Sequence, residues 1–185
     1  MLKGIFLIIG AATCWGMGGV AGQYLYQYHQ ADMIWLCMAR QILAGCLFLL
    51  FAAVVQKQDI FAILKADTWN IIEFSFLGIL GAQLGFYYTI GLCNAATATV
   101  LQYMAPIYVM LWMSYKSRKI PDGRELIGIV GALVGVFLIA THGSLDSLAI
   151  SPMALTIGIL SALSYAYYSI KPGPMLKKYT AATLI

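Results

Sequence analysis

Charge is scarce in this chain, and histidine is nearly absent. Only 10% of the 185 residues are Asp, Glu, Lys or Arg, whereas 62% are apolar, and the mean hydropathy is +0.84. A water-soluble domain of this length needs far more polar surface, so the implied solvent is a lipid bilayer. No polar stretch is long enough to build a separate soluble domain. The four cysteines, Cys14, Cys37, Cys46 and Cys93, lie in apolar runs without CxxC spacing, and the two histidines, His29 and His142, stand at the outer surface without ligand-like company. No metal or disulfide framework is expected from them, and the cysteines read as packing residues. No Asp or His falls within an apolar run, and Glu73 lies only at the edge of one. An intramembrane enzyme would lack the nucleophile and base, or the metal cluster, that its chemistry needs. No enzyme activity and no cofactor are expected. The net charge of +4 is too small to imply a nucleic-acid partner.

What the chain does have is apolar runs. A span takes about 20 mostly apolar residues to cross about 30 Å of hydrocarbon, and six stretches qualify: residues 4–28, 33–55, 69–92, 95–115, 126–141 and 152–170. The fifth is short, so its helix is expected to begin nearer Arg124. Polar connectors such as 29–32 and 56–68 separate the runs. The first run is too long for a signal peptide and further runs follow it, so it reads as a retained span. The fold class is all-α: a polytopic transmembrane helical bundle of about six spans.

The basic residues orient this bundle. Lys3 precedes span one; Lys57 and Lys65 lie between spans two and three; Lys116, Arg118, Lys119 and Arg124 lie between four and five; Lys171, Lys177 and Lys178 follow span six. All ten fall on one side, the opposite connectors carry none, and Arg40 alone of the 11 lies within a span. The positive-inside rule places the N-terminus in the cytoplasm of a multi-pass protein of the inner (plasma) membrane. An error in span count would scramble this partition.

Small residues recur at close-packing spacing: Gly18 and Gly22, Gly81 and Gly85, Gly131 and Gly135. Such pairs let helix backbones approach in lipid, and they report a bundle without reporting a function. A weak self-similarity says more. Ala12-Thr13-Cys14-Trp15-Gly16 in span one aligns with Ala162-Leu163-Ser164-Tyr165-Ala166 in span six, and the two run on to Tyr28 and Tyr179. Span six thus resembles span one beginning again. With five spans per unit, the second copy must enter from the opposite side. That is an inverted-topology repeat, an arrangement associated with secondary transporters. Residues 1–145 form the expected first unit, and 146–185 the first helix and following loop of a truncated second unit.

The residues also carry a family resemblance. Trp15-Gly16 in span one, Arg40 followed by Ala44-Gly45 in span two, Gly91-Leu92 with Asn94-Ala95-Ala96-Thr97-Ala98, Ala105-Pro106 in span four, and Gly128 to Gly135-Val136 in span five stand in order. In these the chain resembles the EamA-type branch of the drug/metabolite transporter superfamily, over residues 4–141 and the opening of the second unit. The resemblance implies a ten-span inverted-repeat transporter with cytoplasmic termini and a pocket between its halves. It supplies no substrate, since the family moves amino acids, drugs and other metabolites. One departure is Ser117-Arg118-Lys119, where the family's connector usually carries an acidic residue. The four-span small multidrug resistance proteins depend on a glutamate in their first helix; span one here has no acid, which disfavours that mechanism.

Within this frame the candidate binding residues are polar and aromatic. Gln83 and Tyr87 are four apart and share a face of span three. Gln102 and Tyr103 precede Pro106, which removes a backbone hydrogen bond and bends span four. Trp15 and Tyr165 occupy matching repeat positions near mid-depth. A buried amide must find a partner, so Gln83 and Gln102 either bond to neighbouring helices or line a wet cavity. Arg40 sits seven residues past the outer end of span two, about 10 Å deep at 1.5 Å per residue, where an arginine costs up to about 2.5–3.5 kcal/mol to insert. It either anchors by snorkelling or attracts an anionic substrate group or gates. Glu73, at a different depth from Arg40, is expected to be solvated at the interface. The expected function is alternating-access transport of a small metabolite. The alternative is a truncated, non-transporting fragment or membrane scaffold that needs a partner chain. Expected partners are the lipid bilayer, a small-molecule substrate, and either a second copy or a missing second half.

Overall fold

In hydrocarbon a peptide group has no water to bond, so apolar runs are driven into helices that satisfy their own N–H and C=O groups. The computed structural model describes residues 2–58, 60–118, 120–141 and 150–179. Lys119, His142, the rest of the connector 142–149 and residues 180–185 lie outside the described residues, as does the side chain of Lys3. All regular structure among the described residues is helical. It comprises α1 (Leu2–His29), α2 (Met33–Val54), α3 (Ile60–Glu73), a π-helical stretch (Phe74–Leu80), α4 (Gly81–Leu92), α5 (Ala95–Gln102), α6 (Ala105–Ser117), α7 (Gly123–Thr141), α8 (Pro152–Ile170) and the short α9 (Pro172–Met175). Five stretches are long and apolar enough to cross a membrane: Gly4–His29, Met33–Val54, Leu64–Leu92, Ala95–Ser117 and Pro152–Met175. With 19 residues, α7 occupies the expected fifth position. The chain is an all-α, multi-pass membrane protein.

Local chemistry sets the helix ends. Asp32 caps α2 by accepting from the Trp35 N–H at 2.7 Å, Asn94 caps α5 from Thr97 at 2.8 Å, and Ser151 caps α8 from Ala154 at 3.1 Å, with Pro152 at its first position. At α7, Asp122 and Glu125 form a capping box, each side chain accepting from the other's backbone N–H at 2.9 Å. That box starts α7 at Gly123, close to the expected start near Arg124. Span four breaks just ahead of Pro106: α5 stops at Gln102, and Met104 bonds back to Leu101 at 3.1 Å before α6 resumes. Pro106 has no N–H to offer the carbonyl four residues earlier, that of Gln102.

Span three departs from its sequence reading in two ways. The stretch 56–68, expected as a connector, is helical from Ile60 onward, with a kink at Asp67, whose φ of −140° is non-helical. The apolar residues between Ile60 and Leu64 favour a helix that the polar ones flanking them disguise. Beyond Glu73 the chain then widens into seven residues of π-helix, a form that shifts the register of side chains facing a neighbour.

That neighbour is α8, which packs against the π-helical stretch and α4. Its Ala154, Gly158, Ser161, Ala162 and Ala166 are buried along one face. Opposite them α4 presents Gly81, Ala82 and Gly85. A Cβ on Gly85 would stand 2.7 Å from the Ser161 Cβ, and one on Gly81 2.7 Å from the Ser164 Oγ. Backbones this close gain dispersion contact that larger side chains would prevent. Gly22 likewise admits the Tyr87 ring, which lies 2.8 Å from where its Cβ would be, whereas Gly131 and Gly135 meet no packed neighbour among the described residues. Long apolar faces stay uncovered, including Ile5 to Ile9 on α1, Leu47 to Leu50 on α2 and Ile127 on α7. A bilayer covers such faces.

Candidate functional site

Small residues on α2 and α4 leave room that aromatic residues on α1 and α8 enclose. The result is a cavity of about 140 Å³ lined by Trp15, Gln41, Ala44, Gly45, Ile79, Ala82, Gln83, Tyr165 and Tyr168. Trp15 lies 14 residues before His29, and Tyr165 lies 13 after Pro152, so each is about 20 Å from that end at about 1.5 Å per residue. Their rings meet edge to face, centroids 5.6 Å apart at 79°, a preferred aromatic geometry. Tyr165 stacks in turn on Tyr168 at 5.7 Å, and Tyr168 on Phe74 at 5.6 Å, so the rings continue from the cavity toward the start of the π-helical stretch.

Polar groups gather toward the opposite side. Arg40 Nη2 donates to Gln83 Oε1 at 2.5 Å, and its guanidinium lies 5.0 Å from the centre of the Tyr87 ring. Tyr87 is buried and donates its hydroxyl to the Gly18 carbonyl at 3.4 Å. Trp15, Gln83 and Tyr165 thus share the cavity, with Arg40 and Tyr87 adjoining it through Gln83. Gln102 and Tyr103 are elsewhere. Gln102 is 6% exposed and bonds through Nε2 to Ser161 Oγ at 3.3 Å and to the Ala82 carbonyl at 3.4 Å. Tyr103 is 68% exposed and does not line the cavity.

Sequence reasoning missed several groups here. Gln41 follows Arg40 directly, and Tyr168 stands three residues after Tyr165 on the same helical face; both spacings were available. The surroundings of Glu73 were not. Glu73 stays part-exposed and also accepts from Lys171 Nζ at 2.7 Å and from the Tyr167 hydroxyl at 2.6 Å. Nearby, Asp67 pairs with Lys178 at 3.8 Å and accepts from Tyr179 at 3.3 Å. The start of span three is thereby tied to the end of α8.

A second space, about 670 Å³, is an open cleft between α6 and α8 that reaches the start of α7 at Asp122 and Glu125. Pro106, Met110 and Met113 line it, and Tyr165 separates it from the smaller cavity. The smaller cavity alone combines mid-depth placement with amide and aromatic groups.

Residues 2–141 match the EamA-like transporter family. The chain is also 37% identical over 179 residues to a Salmonella typhimurium protein described as the uncharacterized inner membrane transporter YicL. That match covers 96% of this chain and 59% of the relative, so the chain spans well under two thirds of the relative's length. No solved structure matches. With the family match spanning most of the chain, and with helices, Pro106 break and tryptophan–tyrosine contact in place, this chain belongs to the EamA-like transporter family.

Proposed function

We propose that the chain supplies the first five-span unit of a carrier, residues 1–145, and the opening helix of a second, inverted unit in 146–185. The carrier moves a small polar or amphipathic metabolite across the inner membrane by alternating access, with the N-terminus cytoplasmic. The observation that carries this reading is the Trp15–Tyr165 contact: the positions matched by the sequence offset meet each other and together line one cavity, and inverted repeats place their substrate sites at the repeat interface. The Glu73–Lys171 bridge then acts as a closure on the cytoplasmic side. Trp15, Gln83 and Tyr165 line the substrate path, with Arg40 and Tyr87 at its outer mouth.

Reconstituted vesicles test this. The longest product of the reading frame should carry radiolabelled solutes, and Trp15→Ala or Gln83→Ala should cut flux by tenfold or more without lowering membrane abundance. Undiminished flux in both variants would remove the cavity from the path. A second reading, a scaffold that needs a partner chain, is favoured by the open cleft beside α6 and α8. Under it, the 185 residues alone insert and pair but carry nothing.

A further inference from the structure

We propose that Arg40 is an anion-recognition group at the outer mouth of the cavity, and that the transported solute carries a carboxylate. This rests on reading the cavity as the substrate site. A guanidinium presents five N–H donors in a fixed fork suited to two carboxylate oxygens. Its described polar partner, Gln83, is neutral, and the Tyr87 ring supports the cation without neutralising it. Neither ion pair among the described residues involves Arg40. Span two holds no carboxylate, and Glu73 and Asp67 are committed to Lys171 and Lys178.

Arg40 is itself exposed, so a ligand can reach its guanidinium, and at this depth of the span an anionic partner offsets the cost of a charge in hydrocarbon. The direction of the side chain favours a solute over a lipid phosphate. Arg40 turns toward α4 and α1: Gln83 holds it, and its Nη1 would lie 3.6 Å from a Cβ on Gly18. Gly18 is one helical turn from Trp15, and Gln83 itself lines the cavity. The fork therefore stands one turn above the Trp15–Tyr165 pair, where a small acid could place its carboxylate on Arg40 and its apolar part against the rings.

The test compares matched acids and amides: phenylacetate with phenylacetamide, and butyrate with butyramide. Binding to the purified protein is read by tryptophan fluorescence in a maltoside detergent, whose headgroup carries no phosphate. The native protein should bind each acid at least about tenfold more tightly than its amide, the worth of one charge-assisted hydrogen bond. Arg40→Gln should erase that preference, and Arg40→Lys, which keeps the charge, should retain part of it. Equal binding of acids and amides by the native protein overturns the proposal, as does a preference that survives Arg40→Gln. So does Arg40-dependent stabilisation by added phosphatidylglycerol with no response to the acids, which would make Arg40 a lipid anchor. Vesicle flux of a neutral solute without acid preference removes this inference alone. An acid preference without flux of any solute removes the carrier reading and leaves the anion site.

Discussion

Gln102 and Ser161, from helices 59 residues apart in sequence, converge on one backbone oxygen, the carbonyl of Ala82. The Ser161 hydroxyl donates to it at 2.8 Å, while Gln102 Nε2 reaches both that oxygen and Ser161 Oγ. Spans three, four and six are thereby pinned at one buried point. Gln102→Ala leaves the Ser161 hydroxyl and the Ala82 carbonyl less well satisfied, and it should cost about 1–2 kcal/mol. Thermal unfolding in detergent should show this loss, whereas Tyr103→Ala should leave the midpoint unchanged.

The contact between Gly85 and Ser161 sets how closely α4 and α8 approach. Gly85→Val introduces atoms where a Cβ already lies 2.7 Å from the Ser161 Cβ, and overpacking of this kind costs about 1–3 kcal/mol. Folded yield should fall, and Ser161→Gly in the same chain should recover part of it. Gly131→Ala, with open space around it, should match the native yield. A Gly85→Val protein as stable as the native one would mean that the two helices do not pack through this face.

Glu73, Lys171 and Tyr167 form the proposed closure at the lysine-rich side. Glu73→Gln should raise the rate at which an aqueous maleimide, added from that side, labels a cysteine at Ile79 in a background without native cysteines. The charge-swapped pair Glu73→Lys with Lys171→Glu should return the rate toward the native value. If neither substitution alters labelling, the bridge is one of the many exposed ion pairs with no measurable effect.

Much of this was legible beforehand, and for physical reasons. The bounds of α8 follow from a Ser151 cap, Pro152 and the lysine beyond Ile170, all local signals. Pro106 announced the break in span four because a missing N–H is a property of the residue itself. Trp15 and Tyr165 were matched through an offset in sequence, and the chain brings them into contact. The two glutamines show where such reading stops. Each needed a partner, yet whether that partner was a neighbouring helix or a cavity depended on which way each helix turned. Gln102 faces α8 and Gln83 faces Arg40. The π-helical stretch left no trace in a uniformly apolar run, and the Glu73–Lys171 bridge joins residues 98 apart.

The account depends most directly on how the chain threads the bilayer. In a background without Cys14, Cys37, Cys46 and Cys93, single cysteines at Gln30 and at Ser117 can be labelled in intact cells with an impermeant maleimide. Gln30→Cys should react from outside, and Ser117→Cys should react only after the membrane is opened. Labelling of both positions from the same side would contradict the threading and, with it, the cavity between opposed units.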